Sequence, residues 1–309
     1  MTLHPDADAR DETPVWFPAG ESLLFGILSR PRDPGRGVGV VLLNGGAYTP
    51  SPSRNRFSVK LARRLAARGF SVLRFDWHGT GESGGQIVRY SLNRPWTTDV
   101  VGAVSELRRR GLDEVILIGR CFGARTALSA VGQVEKLKGM ALISLPLREF
   151  GVQEEEGQPF GVPRLQLSTF TGLLNPKRRR WHLRVLYYSA KRLRKRLRAA
   201  GRNGADPVLD WVSDAVVGWL RQAVLRRIPL LLMYGTKWSA EDHAAEFRQA
   251  ATGEIGRVLA QAGERAQVTM LDGPVHELTT VAVQEDITAH VLEWVESLTR
   301  MGVPAGAGR

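Results

Sequence analysis

The chain has 309 residues, 43% of them apolar, and a formal net charge of +12, a size and composition that allow one globular core with an insertion. A single cysteine excludes internal disulfides and cysteine-rich zinc sites, no histidines are spaced as a close ligand pair, and no nucleotide-binding glycine loop follows a strand, so we expect no metal and no cofactor. The N-terminus lacks the features of a secretory signal, and no apolar run approaches the roughly 18 residues of a membrane span, which predicts a cytoplasmic protein.

Apolar runs alternate with helical patterns along the first half of the chain. An opening hairpin is predicted at 15–30. Further strands are predicted at 38–43, 70–76, 115–118 and 140–145. Helices are predicted between them at 55–69, at 97–111 and directly after the strand at 115–118. This order predicts a mostly parallel, doubly wound α/β sheet.

The alternation stops at Arg148 and resumes at about residue 228. Strands are then predicted at 228–234 and 267–271, and helices from about 241 and at 283–299. We therefore assign residues 1–147 and 228–300 to one core, residues 148–227 to a helical lid insertion, and residues 301–309 to a flexible tail.

The excess positive charge belongs to one segment of the predicted lid. Residues 177–202 contain 12 Lys and Arg and no acidic residue, and the remaining 31 basic residues balance the 31 acidic residues of the chain. The charge is therefore a property of this segment and not of the whole fold.

The sequence is organised around residues 114–128, which read EVILIGRCFGARTAL. A short apolar strand leads through Gly119 and Gly123 into a helical pattern, and Cys121 lies between the two glycines. A strand-to-helix turn of the form Gly-x-nucleophile-x-Gly needs small neighbours and lifts its central side chain above the carboxyl edge of a parallel sheet. The pattern predicts that Cys121 is an exposed nucleophile.

This segment resembles the nucleophile elbow of the α/β-hydrolase superfamily, with cysteine where most members carry serine. The likeness extends through GGAYTPSPSRNRF and LRFDWHGTGESGG, which resemble hydrolases related to the serine-aminopeptidase type. It implies an α/β-hydrolase fold, a catalytic base at His276 after the last strand, and oxyanion donors at the backbone N–H of Phe122 and of Gly46 or Ala47. Asp76, Gly79, Gly81 and Ser83 are interpreted as residues that shape the loop after the second parallel strand, and His78 as structural or substrate-facing.

The catalytic acid is where the sequence departs from the family. The family usually has aspartate three residues after the glycine that ends the penultimate strand, and here that position is Trp238. We favour Asp242 slightly over Glu241, and Glu149 is a third candidate. A Cys-His dyad without an acid is also feasible, because a thiol with a pKa of ~8.5 needs less activation than a hydroxyl.

A cysteine nucleophile favours thioester chemistry, because transfer from a pantetheine thioester to a thiol is nearly energy-neutral. By resemblance, cysteine occurs in this fold in dienelactone-hydrolase-like enzymes and in Dieckmann-type cyclases of polyketide and peptide assembly lines. The leading hypothesis is a thioesterase or an acyltransferase/cyclase that acts on a carrier-protein or CoA thioester through an acyl-cysteine intermediate. The alternatives are a carboxylester or lactone (dienelactone-like) hydrolase, and a non-catalytic binding protein on a hydrolase scaffold.

The basic segment suggests a partner. Carrier proteins are typically acidic, and a positive patch accelerates encounter with an acidic partner. The docking residues would be Arg192, Arg194, Lys195 and Arg196. The same segment could contact an anionic membrane as a peripheral patch, whereas nucleic acid is disfavoured because the run matches no recognised module and the rest of the chain is neutral on balance. A solvated face without a partner is the remaining interpretation.

Overall fold

The computed structural model describes residues 11–32, 35–46, 50–86, 91–148, 211–236 and 243–300, together with residue 209 and scattered helical positions between 183 and 194. The strands in these ranges are β1 (Asp11–Ala19), β2 (Ser22–Arg30), β3 (Val38–Leu43), β4 (Ser71–Phe75), β5 (Glu114–Arg120), β6 (Leu137–Ile143), β7 (Leu230–Gly235) and β8 (Ala266–Leu271). They form one sheet in the order β1-β2-β4-β3-β5-β6-β7-β8.

The sheet begins with the predicted hairpin and continues in parallel. β1 pairs antiparallel with β2, and β2 pairs antiparallel with β4. All later pairings, from β4 with β3 to β7 with β8, are parallel. The predicted mostly parallel, doubly wound sheet is confirmed.

Helices cover both faces of the sheet. Those in the described ranges are α1 (Phe57–Ala66), α2 (Thr97–Arg109), α3 (Phe122–Ser129), α4 (Asp214–Leu225), α5 (His243–Ala251), α6 (Glu254–Ala262) and α7 (Val281–Arg300). Successive residues of a strand point to opposite faces: Val41 and Leu117 are buried in the layer that contains α2, α3 and α4, whereas Val40 and Ile116 are buried in the layer that contains α1 and α7. Burial on both faces explains the continuous apolar runs of these strands.

α4 lies inside the range predicted as lid, residues 148–227. Its side chains Val216 and Leu220 are fully buried in the same apolar layer as α3. An apolar stripe at helical spacing fits a lid helix and a core helix equally well, so the sequence pattern did not distinguish them. α6 is a further helix that the sequence analysis missed, although Ile255 and Val258 face its core side.

The topology places the loops that carry the predicted site residues at one edge of the sheet. The carboxyl ends of β3, β4, β5, β7 and β8 all point the same way, so the loops that follow them lie side by side, as at the ligand-binding edge of open α/β sheets. Of the helices in the described ranges, none combines the length and the apolar character that crossing a membrane requires.

Candidate active site

Cys121 forms the turn between β5 and α3. Its backbone has φ 49° and ψ −115°, a conformation that residues other than glycine rarely adopt, and its side chain is partly exposed. Glycines on both sides allow the turn: a Cβ on Gly123 would lie 2.3 Å from the carbonyl oxygen of Leu43, and a Cβ on Gly119 would lie 2.4 Å from that of Gly123. The geometry is that of a nucleophile elbow.

The predicted oxyanion donors are backbone amides, one directly after Cys121 and one in the loop after β3. The backbone N–H of Phe122 donates to the carbonyl oxygen of Gly45 at 3.0 Å. Gly46 is the next residue of that loop, and Ala47 lies outside the described residues. The Phe122 N–H can therefore serve a developing oxyanion only after the Gly45 carbonyl turns away from it, and the assignment of these amides stays a prediction.

His276 lies in the loop after β8, as expected of the base. The guanidinium of Arg120, the residue before Cys121, donates from Nη1 to the carbonyl oxygen of His276 at 2.6 Å. This hydrogen bond connects the histidine loop directly to the elbow, so both predicted catalytic residues belong to adjoining loops at one edge of the sheet. The His276 side chain is partly exposed, and its Nδ1 lies 3.6 Å from Oε1 of Glu277.

A second histidine, which the sequence analysis did not single out, lies beside His276. His243 is buried at the start of α5, and its ring meets the His276 ring at a centroid distance of 4.8 Å and an interplanar angle of 71°. Its Nδ1 lies 3.7 Å from Oε2 of Glu246, one helical turn later. The spacing of His243 and Glu246 on a predicted helix was the only signal of this pair in the sequence.

Glu246 is the carboxylate that lies beside His243 on α5. Arg148 donates from Nε to Oε1 of Glu246 at 2.5 Å. Burial acts to raise the pKa of Glu246, but the nearby His243 ring and the hydrogen bond from Arg148 outweigh it and hold the pKa below its ordinary value. The carboxylate therefore stays ionised near the histidine pair at neutral pH.

The three acid candidates cannot be compared structurally. Asp242, Glu241 and Glu149 all lie outside the described residues. Asp242 and Glu241 directly precede His243, and Glu149 directly follows Arg148. The choice among them, or a dyad without an acid, stays open.

The loop after β4 has the shaping role predicted for it. The carboxylate of Asp76 accepts the backbone N–H of Ser51 at 2.6 Å and that of Glu82 at 3.3 Å. The Ser83 hydroxyl donates to the Asp76 carbonyl oxygen at 2.6 Å and accepts the N–H of Phe25 at 2.9 Å. These bonds tie the loop to β2 and to the loop after β3.

His78 in the same loop is held through its ring. Its Nδ1 lies 2.8 Å from Oδ2 of buried Asp99, and the Asp99 carboxylate also accepts the His78 backbone N–H at 3.0 Å. The ring packs on Trp96 at a centroid distance of 4.1 Å. Trp96 in turn contacts Phe122, so His78 supports the elbow from a distance.

Most of the predicted docking residues lie outside the described residues. Arg194 is an exposed helical residue, whereas Arg192, Lys195 and Arg196 fall outside the described residues. Within the described ranges, no group of three or more His, Cys, Asp or Glu side chains is arranged to hold a metal ion.

Comparisons with known proteins agree with this architecture. The sequence profile of the family described as serine aminopeptidase, S33, matches residues 40–280. No curated protein sequence matches the chain significantly. An esterase of Pyrococcus furiosus has a similar structure over 96% of this chain and 94% of its own, with a TM-score of 0.59 and 15% sequence identity.

Two further solved structures cover this chain almost completely. Proline iminopeptidase of Mycobacterium smegmatis matches 94% of this chain and 100% of its own, with a TM-score of 0.56 and 15% identity. A dienelactone hydrolase of Anabaena variabilis matches 93% of this chain and 98% of its own, with a TM-score of 0.55 and 13% identity. Identities this low establish the fold alone, whereas the sequence profile covers well over half of the chain. The protein therefore belongs to the serine aminopeptidase S33 family of enzymes with the α/β-hydrolase fold.

Proposed function

We propose that this α/β hydrolase transfers acyl groups through a thioester on Cys121, with His276 as the general base. The observation that carries the proposal is the position of the chain's single cysteine at the partly exposed apex of a strained elbow. Backbone strain at a non-glycine residue is kept where the surrounding structure over-determines it, which is typical of functional sites. A buried structural cysteine would gain nothing from this turn.

The reaction divides into two transfers. His276 takes the proton of the Cys121 thiol, the sulfur attacks the carbonyl carbon of the substrate, and the tetrahedral oxyanion collapses with loss of the leaving thiol or alcohol, which receives that proton from His276. Water or another acceptor then attacks the acyl-cysteine while His276 removes its proton, and the second tetrahedral oxyanion collapses with cleavage of the bond to sulfur, which regains a proton from His276 as the Cys121 thiol. In each step the Phe122 N–H would stabilise the oxyanion once it leaves the Gly45 carbonyl.

A thioester is the proposed substrate class, as a carrier-protein or CoA thioester. Exchange of one thioester for another is nearly energy-neutral, so the acyl group remains reactive toward water, amines or carbon nucleophiles. Hydrolysis gives a thioesterase, and attack by a substrate nucleophile gives an acyltransferase or a Dieckmann-type cyclase. The second candidate is a carboxylester or lactone hydrolase, which the esterase and dienelactone hydrolase among the similar structures favour.

Intact-protein mass spectrometry tests the thiol mechanism. After incubation with acyl-pantetheine thioesters, we expect an acyl adduct on the wild-type protein and none on Cys121→Ala. Because Cys121 is partly exposed, its truncation should leave the thermal unfolding transition unchanged. Undiminished turnover by a folded Cys121→Ala protein would refute the proposal.

Matched substrates separate the two candidate functions. A thioester and an oxygen ester of the same acyl group should differ in kcat/KM in favour of the thioester. A clear preference for the oxygen ester or a lactone, with the same dependence on Cys121, would establish the second candidate instead.

The basic segment is proposed to dock an acidic carrier protein. Neutral residues at Arg192, Arg194, Lys195 and Arg196 should slow the reaction with a carrier-bound acyl group but not with a free pantetheine thioester. Added salt should have the same effect, because exposed charges are screened over ~8 Å at physiological ionic strength. Equal losses on both substrates would show that the segment shapes the pocket, and loss of liposome binding alone would indicate a membrane contact.

A further inference from the structure

Three consecutive backbone carbonyls of the histidine loop accept hydrogen bonds from side chains of other elements. Arg120 donates to the carbonyl of His276 at 2.6 Å, and Arg54 donates to that of Glu277 at 3.1 Å. The carbonyl of Leu278 accepts from Asn55 at 3.3 Å and from Gln284 at 2.8 Å. The loop is therefore held by its backbone, and Arg120 is the donor that comes from the elbow itself.

The guanidinium of Arg120 lies where three loops meet. A Cβ placed on Gly45 would lie 2.6 Å from its Cζ, so the guanidinium packs directly against the loop after β3. The carbonyl of that same Gly45 accepts the Phe122 N–H at 3.0 Å. One cation thus touches the predicted oxyanion loop and the histidine loop, and its own backbone continues into Cys121.

Arg120 differs in solvent exposure from Arg54, the other arginine that binds the histidine loop. Burial lowers the pKa of the Arg120 guanidinium, and the negative charge of Cys121 as a thiolate acts to raise it. A guanidinium nevertheless stays protonated at any pH an enzyme meets. Arg54 is exposed, so water and salt screen its charge.

The charged and titratable groups that face this position come from four elements. Arg120 belongs to β5, Arg54 to the turn before α1, and His276 and Glu277 to the loop after β8. The ring of His243, on α5, packs against the ring of His276. Of the two arginines, the partly buried one is adjacent in sequence to the thiol.

We propose that Arg120 is a positioning residue that stabilises the thiolate form of Cys121 with a permanent charge, held in place by its hydrogen bond to the His276 carbonyl. The inference rests on the proposed thiol mechanism and gives it a source of reactivity that does not depend on the protonation of His276. An opposite charge within a few ångströms favours the charged form of a titrating group. The guanidinium is fixed between the loop after β3 and the histidine loop, beside the elbow whose apex is Cys121.

The pH dependence of thiol alkylation tests this directly. Because Cys121 is the only cysteine of the chain, iodoacetamide consumption reports on this thiol alone. At pH 7 we expect Arg120→Met and Arg120→Gln to react about tenfold more slowly than the wild type, with a profile moved to higher pH by about one unit, the smallest shift expected from loss of a close opposite charge. Arg120→Lys retains a cation and should stay within about threefold of the wild type.

The variants separate charge from anchoring. Gln retains a donor for the His276 carbonyl but no charge, so a wild-type profile for Arg120→Gln would overturn the proposal. Arg54→Met removes an exposed cation, from the turn before α1, that binds the histidine loop, and should change the rate by less than about twofold. An effect of Arg54→Met as large as that of Arg120→Met would equally overturn it, because any nearby arginine would then suffice.

The same comparison in a His276→Ala background distinguishes direct from indirect action. The difference between Arg120→Gln and Arg120→Lys should persist there, and its disappearance would show that Arg120 acts only through the histidine. Circular dichroism and thermal unfolding establish that each variant is folded, and if Arg120→Met does not fold, the Gln and Lys pair carries the test. These rates need no substrate, so a wrong inference about Arg120 is distinguishable from failure of the thiol mechanism, which Cys121→Ala turnover decides.

Discussion

Two loops at the carboxyl edge of the sheet each carry a histidine, and they hold it in opposite ways. His78, after β4, is fixed through its ring, which lies 2.8 Å from Asp99 and packs on Trp96. His276, after β8, is fixed through its backbone carbonyl, which Arg120 binds at 2.6 Å. The first arrangement uses the imidazole as a structural crosslink, whereas the second fixes the main chain of the loop.

This difference leads us to expect different effects from replacing the two histidines. For His276, the proposed base, the hydrogen bond from Arg120 fixes the main chain, whereas the ring, which must move a proton in that role, lies beside the ring of His243. A crosslinking histidine satisfies a buried carboxylate, and its replacement should affect the free energy of unfolding more than the rate. Mutating each histidine loop in turn tests whether the two histidines differ in this way.

The largest effect is expected from His276→Ala. Removal of a general base costs about 10²–10⁴-fold in rate, so kcat for an acyl-pantetheine thioester should fall by that factor while the protein stays folded. His78→Ala is the matched control, and its kcat should fall by less than about tenfold. If the two variants lost activity equally, the distinction between the loops would be wrong.

Removing the charge of the Asp99 carboxylate, which binds His78, should lower the free energy of unfolding. Asp99 is buried, and its carboxylate forms hydrogen bonds with Nδ1 of the His78 ring and with the backbone N–H of His78. The Asn side chain in Asp99→Asn would place an amide donor against one of these groups, so the free energy of unfolding in urea should fall by about 1–3 kcal/mol.

Asp113→Asn is the control for this change, because Asp113 is an exposed residue paired with Lys136 at 2.8 Å. It should leave the urea midpoint unchanged. A wild-type midpoint for Asp99→Asn would contradict the structural role of the Asp99 and His78 pair.

The smallest effect concerns the network beside His276 and depends on pH. Burial acts to raise the pKa of Glu246, but the nearby His243 ring and the hydrogen bond from Arg148 outweigh this effect, so the folded-state pKa lies below the ordinary value. A depressed carboxyl pKa contributes stability above the unfolded-state pKa, and this contribution is lost as pH falls through the folded-state pKa. Glu246→Gln should therefore reduce the free energy of unfolding by about 1 kcal/mol at pH 6 and by less at pH 3.5.

Urea unfolding of both proteins at the two pH values measures this difference. The quantity of interest is how much the gap between wild type and Glu246→Gln narrows on acidification. A gap that stays constant would mean that the ionised carboxylate is not what the network stabilises.

The fold and the elbow could be predicted from the amino-acid sequence. Runs such as 38–43, apolar at nearly every position, are typical of strands covered on both faces, and the Gly119-x-Cys121-x-Gly123 pattern between a strand and a helix indicated the elbow together with the motifs that precede and follow it. The assignment of His276 followed from the resemblance to the α/β-hydrolase superfamily, whose members place a histidine in the loop after the last strand. The strands and the elbow depend on neighbours in sequence, so periodicity and turn chemistry could reveal them.

The contacts between distant residues at the site depend on the three-dimensional fold. Arg120 contacts the His276 carbonyl across 156 positions of the chain, and His243 meets His276 only because β7 and β8 are adjacent. The assignment of α4 to the core had the same origin, because an apolar helical stripe does not specify the surface on which it packs. Hydrogen bonds between loops depend on sheet order and on the three-dimensional course of the backbone, and no periodicity in the sequence encodes either one.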